Sequence, residues 1–226
     1  MQTIDLAGTR AELHSCGAVH LPEWHTLLVA DAHFGKAVSF RRLGVPVPRG
    51  TTLDTVSRLD AVLATTGARR VVFLGDFLHS ARSHARGTQE ALAAWRAGRG
   101  DLALTLVRGN HDDRAGDPPA ALAIEVVDEP LPLGPFALCH HPEPVDGAYV
   151  LAGHWHPCVH VVGRAHDRLR LPCFWLREAP EAQGRPGAVG VLPAFGAFTG
   201  MHPIDRQPGD RVYAIAGDQV RAVPAG

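Results

Sequence analysis

The chain has 226 residues, 46% hydrophobic and 20% charged, with a formal net charge of -1. Such a composition suits one ordinary globular domain spanning residues 1–226. It excludes an unselective polybasic nucleic-acid binder, whose affinity comes from many cations meeting phosphates, and leaves a local basic groove open. No apolar run nears the roughly 20 residues that span a bilayer, and Met1–Leu13 lacks the basic-then-apolar order of a signal peptide. Cys16, Cys139, Cys158 and Cys173 form no C-x-x-C pair and sit in or beside apolar runs. They read as reduced thiols of a cytoplasmic protein.

Leu13–Leu21 and His25–Ala30 read as two short strands joined at Pro22-Glu23-Trp24. After Asp31 a mixed stretch, Phe34–Gly44, predicts a short helix or loop, and Val45-Pro46-Val47-Pro48 an extended segment. Thr51 or Thr52 is a plausible cap for a helix to about Thr65, with Leu53, Val56, Leu59, Val62 and Leu63 as its apolar face and Gly67 as its stop. Val71–Leu74 predicts a buried strand, Gly87-Thr88-Gln89-Glu90 the opening of a helix through Arg99, and Leu102–Val107 another strand. Strand, helix, strand, helix, strand argues for a largely parallel sheet under covering helices.

From Ile124 the pattern changes to short apolar runs separated by Pro and Gly, with weak helical periodicity. Ile124–Val127, Phe136–Cys139, Tyr149–Ala152, Val159–Val162, Leu169–Leu176, Ala188–Leu192, Val212–Ile215 and Val220–Val223 predict a second, mostly antiparallel sheet packed on the first. Glu178–Gly187 reads as an exposed loop.

Five of these runs end in polar clusters: Asp31-Ala32-His33, Gly75-Asp76-Phe77-Leu78-His79, Gly109-Asn110-His111-Asp112, His140-His141 and Gly153-His154-Trp155-His156. Ligand sites in parallel sheets lie beyond the carboxyl ends of the strands. Asp31 and His33, like His154 and His156, are two apart and can share one side of an extended segment. Asp76 could bridge two ions, Asn110 offers a neutral carbonyl oxygen, and His140 ends its strand and is preferred over His141. Carboxylate, amide and imidazole together suit Mn, Fe or Zn better than Ca or Mg. His111, beside Asn110, could protonate a leaving oxygen, with Asp112 orienting it. Gly109 is expected to let the backbone turn tightly.

The blocks Asp-x-His, Gly-Asp-x-x-His, Gly-Asn-His-Asp, His and Gly-His-x-His, in order over residues 31–156, resemble the calcineurin-like metallophosphoesterase superfamily. The resemblance implies a four-layer αββα sandwich of two mixed sheets flanked by helices. It also implies two divalent metal ions, Mn first and Fe or Zn as alternatives, activating a bridging water. One ion would take Asp31, His33, Asp76 and His156, the other Asp76, Asn110, His140 and His154, with His111 as general acid. His79 departs from the Asn or Asp common at its position and suggests a substrate-side role. The stretches Asp31–Lys36, Phe40–Pro48 and Leu192–Gly200 further resemble the ligase-associated DNA damage response endonucleases, a group similar to nuclease subunits of the SbcD type. That implies DNA as substrate, and a DNA ligase, helicase and exonuclease as partners.

Lys36, Arg41 and Arg42 are candidates for a phosphate-binding patch near the Asp31 loop, or a solvated helix face. Phe174, Trp175, Phe195 and Phe198 read as core rather than as a base-stacking platform. Pro193–Gly200 could be a loop beside the site. Of the histidines outside the blocks, His202 is the least easily assigned to surface or core. The competing functions are a small-molecule phosphoesterase and a non-catalytic scaffold, and the presence of both His111 and Asp76 argues against the scaffold.

Overall fold

A computed structural model describes residues 1–47, 50–162, 168–178 and 187–224. The chain starts with a hairpin that shows no strong alternation in sequence. Its strands β1 (Gln2–Leu6) and β2 (Thr9–Leu13) pair antiparallel around Ala7 and Gly8, both at positive φ, 51° and 75°. Two such residues in succession give the turn that matches strand twist. The strand predicted over Leu13–Leu21 is interrupted, because the chain turns between His14 and Ala18 and resumes as β3 (Val19–Leu21). Next comes β4 (Thr26–Ala30), buried along its whole length.

The remainder of the first half alternates as expected: α1 (Lys36–Arg42), α2 (Thr51–Thr66), β5 (Arg70–Leu74), α3 (Arg86–Ala97), β6 (Ala103–Val107) and the short α4 (Asn110–Ala115). Gly50, at φ 89°, caps α2 in place of the predicted threonine hydroxyls, and Gly67 ends it in the left-handed region. Val56, Leu59 and Val62 bury the predicted face. Leu53, at the open first turn, is 57% exposed. β7 (Ile124–Val127) joins this first sheet, parallel to β6, rather than the second. Among the described residues the sheet runs β1 to β7 in chain order, antiparallel up to β4 and parallel from β4 on.

The second sheet holds β8 (Leu131–Leu133), β9 (Phe136–Leu138), β10 (Tyr149–Ala152), β11 (Pro157–Val162), β12 (Arg168–Arg177), β13 (Val189–Val191), β14 (His202–Pro203), β15 (Arg211–Ala216) and β16 (Gln219–Ala222). Its centre is parallel, with β10 between β9 and β13, and antiparallel pairs flank it. The loop expected over Glu178–Gly187 falls, at 179–186, outside the described residues, as do Pro48 and His166.

One apolar cluster binds the sheets together. Leu28, Val72 and Leu74 of the first meet Phe136, Leu151, Phe174 and Ile215 of the second. The helices cover the far face of the first sheet through Val56, Leu59, Val62, Leu92 and Trp95. On the outer face of the second sheet, Val145, Ala148 and Ile204 from connecting segments close a third cluster. The expected α/β sandwich of two mixed sheets with flanking helices is present, with this helical cover on the first sheet. No helix among the described residues is long and apolar enough to cross a membrane.

Candidate metal centre

The ends of β4, β5, β6, β9 and β10 meet at one edge of the sandwich, and there the structure gathers Asp31, His33, Asp76, Asn110, His140, His154 and His156. The backbone that presents them is not extended. Asp31, His33, Asp76, His154 and His156 all have positive φ, between 45° and 68°. The pairs two apart therefore share a side through left-handed turns and not through strand alternation. Such conformations are uncommon outside glycine and cost on the order of 1–3 kcal/mol each, so the surroundings must impose them. They do so by hydrogen bonds: the His33 N–H donates to the carbonyl of Asp76 (2.8 Å) and the His154 N–H to Asp31 Oδ2 (2.9 Å).

Three motif glycines act by lacking a side chain. A Cβ on Gly75 would lie 2.1 Å from His140 Nδ1, one on Gly153 2.4 Å from Asp31 Oδ2, and one on Gly109 2.5 Å from the Asp76 nitrogen. Gly75 also sits at φ 74°. Gly109 does not make the tight turn expected of it. Its φ is -109°, and what excludes a side chain is the Asp76 backbone against it.

The seven side chains converge as two sets joined by Asp76. In the first, His156 Nε2 is 3.4 Å from both Asp31 Oδ1 and His33 Nε2, and His33 Nε2 is 3.6 Å from Asp76 Oδ2. In the second, His140 Nε2 is 2.9 Å from Asn110 Oδ1, 3.0 Å from His154 Nδ1 and 3.5 Å from Asp76 Oδ1. Metal–ligand bonds of about 2.0–2.2 Å place neighbouring ligand atoms roughly 3–3.5 Å apart, which these separations match. The donor count makes the same point. His140 donates Nδ1–H to the carbonyl of Leu74 (3.1 Å), so in the neutral ring Nε2 carries a lone pair, and it faces an amide oxygen and a carboxylate. Asp31 Oδ1 is buried with no hydrogen-bond partner. Converging lone pairs in a buried site need a cation, so the residues present fit divalent metal. Burial pushes the His33 and His154 rings below the usual imidazole pKa, which keeps both neutral and able to ligate.

His141, the alternative to His140, is close but engaged elsewhere, with Nδ1 2.6 Å from Glu129 Oε1. Glu129 also accepts the N–H groups of His140 and His141, at 2.7 and 3.0 Å. Burial would raise the Glu129 pKa, but the hydrogen bonds from His141 and His140 outweigh it and hold the carboxyl below its ordinary value. Glu129 aims the His140 loop and has no motif that announces it.

His111 reaches the site from α4, with Nε2 3.9 Å from Asp76 Oδ2. Its orienting partner is not Asp112. The buried Asp112 carboxylate accepts the N–H groups of Gly109 (3.0 Å) and Leu78 (3.1 Å), closing the first turn of α4, and burial raises its pKa to about 6. His111 Nδ1 instead meets the carbonyl of His79 at 2.7 Å. The His79 ring stacks on His111, centroids 4.8 Å apart and 24° between planes, and burial together with Lys36 and His111 lowers its pKa to about 4.

Lys36 is half-buried at the start of α1, where desolvation lowers its pKa while Asp31 and Asp76 act to raise it. It thus stands in the field of the site. Arg41 lies one turn on and is exposed. It lines a separate groove with Val38, Thr52, Ala85 and Thr88, away from the ligands.

Pro193–Gly200 is a loop beside the site, as the sequence suggested. Phe195 N–H donates to the carbonyl of Ala30 and Gly196 N–H to that of Asp31, while α2 clasps the loop through Thr55 and Arg58. Phe174, Trp175 and Phe195 are core, as expected. Phe198 is half-buried beside the site instead, against Phe40, at 5.7 Å between ring centroids.

An α/β sandwich with a carboxylate–imidazole cup at its strand ends defines a metal-dependent hydrolase. Among solved structures, the crystal structure of Pseudomonas putida nuclease MPE is 41% identical to this chain, with a TM-score of 0.83. The match covers 98% of this chain and 99% of that one. The chain belongs to the metallophosphoesterases, enzymes that hydrolyse phosphate esters. Yfce, a phosphoesterase from E. coli, aligns over 88% of this chain and 97% of its own at 13% identity and a TM-score of 0.43. No family model and no curated protein matches the chain.

Proposed function

We propose that this metallophosphoesterase is a DNA phosphodiesterase, a nuclease acting in ligase-associated repair in the cytoplasm, with a DNA ligase, helicase and exonuclease as its partners. The observation that carries the chemistry is the buried convergence of lone pairs around Asp76. The 41% identical nuclease supports DNA as the substrate. Asp31, His33, Asp76 and His156 would hold one divalent ion and Asp76, Asn110, His140 and His154 the other, with manganese the first choice. Such ions supply charge against the phosphate oxygens and lower the pKa of water toward about 7.

The chain's own residues do the rest. Asp76 carries one carboxylate oxygen to each set. Asn110 presents a neutral oxygen, which leaves room for an anionic substrate. Lys36 adds positive charge on the α1 side. The His79 carbonyl holds His111 Nδ1–H, so it is the ring protonated on both nitrogens that gives its Nε2 proton to the leaving oxygen and is left as the neutral Nδ1–H form. Bulk metal availability, and not these donors, selects among Mn, Fe and Zn.

The test is activity with added Mn2+ on nicked, single-stranded and hairpin DNA, set against 2′,3′-cyclic nucleotides and p-nitrophenyl phosphate. Robust small-molecule turnover without DNA cleavage would replace this reading by that of a small-molecule phosphoesterase. A ligase and a helicase encoded next to this chain would support the repair role.

A further inference from the structure

Between the two ligating histidines of the Gly-His-x-His turn stands a side chain the metal chemistry does not use. His154 and His156, at φ 68° and 46°, turn inward, and Trp155 between them turns out, 38% exposed. It leans on Trp175 of β12, with ring centroids 5.6 Å apart and 37° between planes. Trp175 is fixed. Its indole N–H donates to Asp210 Oδ2 at 2.7 Å in a buried bond, and the Arg177 guanidinium lies 5.3 Å from its ring centroid.

The two indoles wall a pocket of about 460 Å3, completed by His154, Pro157, His202 and Asp205. That volume is in the range of small-molecule sites, and its make-up, an apolar aromatic wall with few polar groups, is theirs too. Because His154 belongs both to this pocket and to the ligand cluster, the pocket adjoins the centre. β14 ties its far side to the same turn, since the His202 N–H donates to the carbonyl of His156 at 2.9 Å.

We infer that this pocket takes a nucleobase of the DNA strand, adjacent to the phosphate being cleaved. This rests on the DNA-cleaving reading above. At 5.6 Å between centroids, the indoles leave no room for a ring between them, so the base lies against the wall they form together. An aromatic wall receives the face of a base, and that face is free only where the base is unpaired and unstacked. The exposed Asp205 carboxylate at the rim accepts hydrogen bonds only, which matches the exocyclic amine of a base and repels a second phosphate. The chemistry is shared by a free nucleotide, and the experiment separates the two.

The full chain and its Trp155→Ala and Trp155→Phe variants are compared on single-stranded oligonucleotides, by equilibrium binding with Mn2+ and by cleavage. One base at a time is removed near the cut site. Trp155→Ala is expected to weaken strand binding and raise KM about ten-fold or more. Trp155→Phe should recover most of that, and manganese stoichiometry should not change in either. The deficit should vanish on the strand that is abasic at one position beside the cut. An equal deficit on every abasic strand, or unchanged strand binding, overturns the inference. If nucleoside monophosphates quench Trp155 fluorescence while strand binding ignores Trp155, the pocket belongs to free nucleotides and the inference fails. Absence of cleavage by the unmodified chain would defeat the nuclease reading alone, because strand binding still reports on the pocket.

Discussion

His111 donates its Nδ1–H to the main-chain carbonyl of His79, 2.7 Å away, while its Nε2 faces Asp76. A carbonyl only accepts, so Nδ1 keeps its proton and Nε2 is the nitrogen free to gain and give one, as the proposed general acid requires. His111→Ala is expected to lower turnover of DNA diesters by roughly 10²–10⁴-fold. Diesters with a nitrophenolate leaving group, which needs no proton, should lose far less. Manganese should remain bound. Steady-state rates on both substrate types, with metal analysis of the purified variant, check this.

Gly75 is where packing and backbone conformation both exclude a side chain. Gly75→Ala puts a methyl group 2.1 Å from His140 Nδ1 at a residue with φ 74°. We expect a loss of stability of about 2 kcal/mol or more and weaker manganese binding as His140 is displaced. Gly87→Ala is the contrast, for its new Cβ meets nothing within 4 Å in α3. It should stabilise the protein by roughly 0.5–1 kcal/mol. Denaturant midpoints of the two variants give opposite signs if this is right.

Asp76 joins the two ligand sets, so removing its charge should affect both. A ligand at about 100 times its Kd stabilises a protein by about 2.7 kcal/mol, or roughly 5–10 °C for a domain of this size. Manganese should raise the melting temperature of the unmodified chain by that order, with reversal by chelator. Asp76→Asn should lose most of the rise. Scanning calorimetry with and without metal decides it, and an undiminished rise would remove Asp76 from the ligands.

Arg58 reaches from α2 to the loop beneath Asp31, donating to the carbonyl of Phe195 at 3.1 Å with its guanidinium 5.6 Å from that ring. Arg58→Ala should cost about 1–2 kcal/mol. It should also lower kcat/KM, because the same loop bonds to the carbonyls of Ala30 and Asp31. Thermal melts and kinetics of the variant test both effects.

His14 is buried beside Glu12 and His20, a group separate from the candidate metal ligands. Desolvation lowers its pKa; Glu12 opposes that and His20 adds to it. The folded ring thus takes a proton less readily than the unfolded one. Stability from this group is present above the ordinary imidazole pKa near 6.5 and declines as pH falls below it. His14→Asn should therefore lose less stability than the unmodified chain between pH 7.5 and pH 5.5. Chemical denaturation at the two pH values measures the difference.

Much of this site is legible in one dimension. The candidate ligands lie just past strand ends, and strand ends show as the ends of apolar runs: Ala30, Leu74, Val107, Cys139 and Ala152 each close a run just before a polar cluster. The second sheet was less legible. Its parallel centre, β9–β10–β13, pairs strands separated by long connections, and alternation along a strand says nothing about its neighbour's direction. Ile124–Val127 looks like the strands that follow it but pairs with β6. Glu129, Arg58 and Thr55 carry no motif, since each serves the site through a bond to a residue distant in sequence.

By itself the sequence determined which atoms could meet a metal, because carboxylate, amide and imidazole groups are properties of residues, and determined that they sit where strands stop. Only the tertiary structure decided their aim. It turned Asp31, His33, His154 and His156 inward through left-handed backbone, chose His140 over His141 for Asn110, gave His111 to the carbonyl of His79, and turned Trp155 outward. The reason is physical. Spacing along a chain sets which residues are present, whereas direction depends on φ, on backbone hydrogen bonds and on close approaches such as Gly75 to His140, all of which exist only once the two sheets are packed.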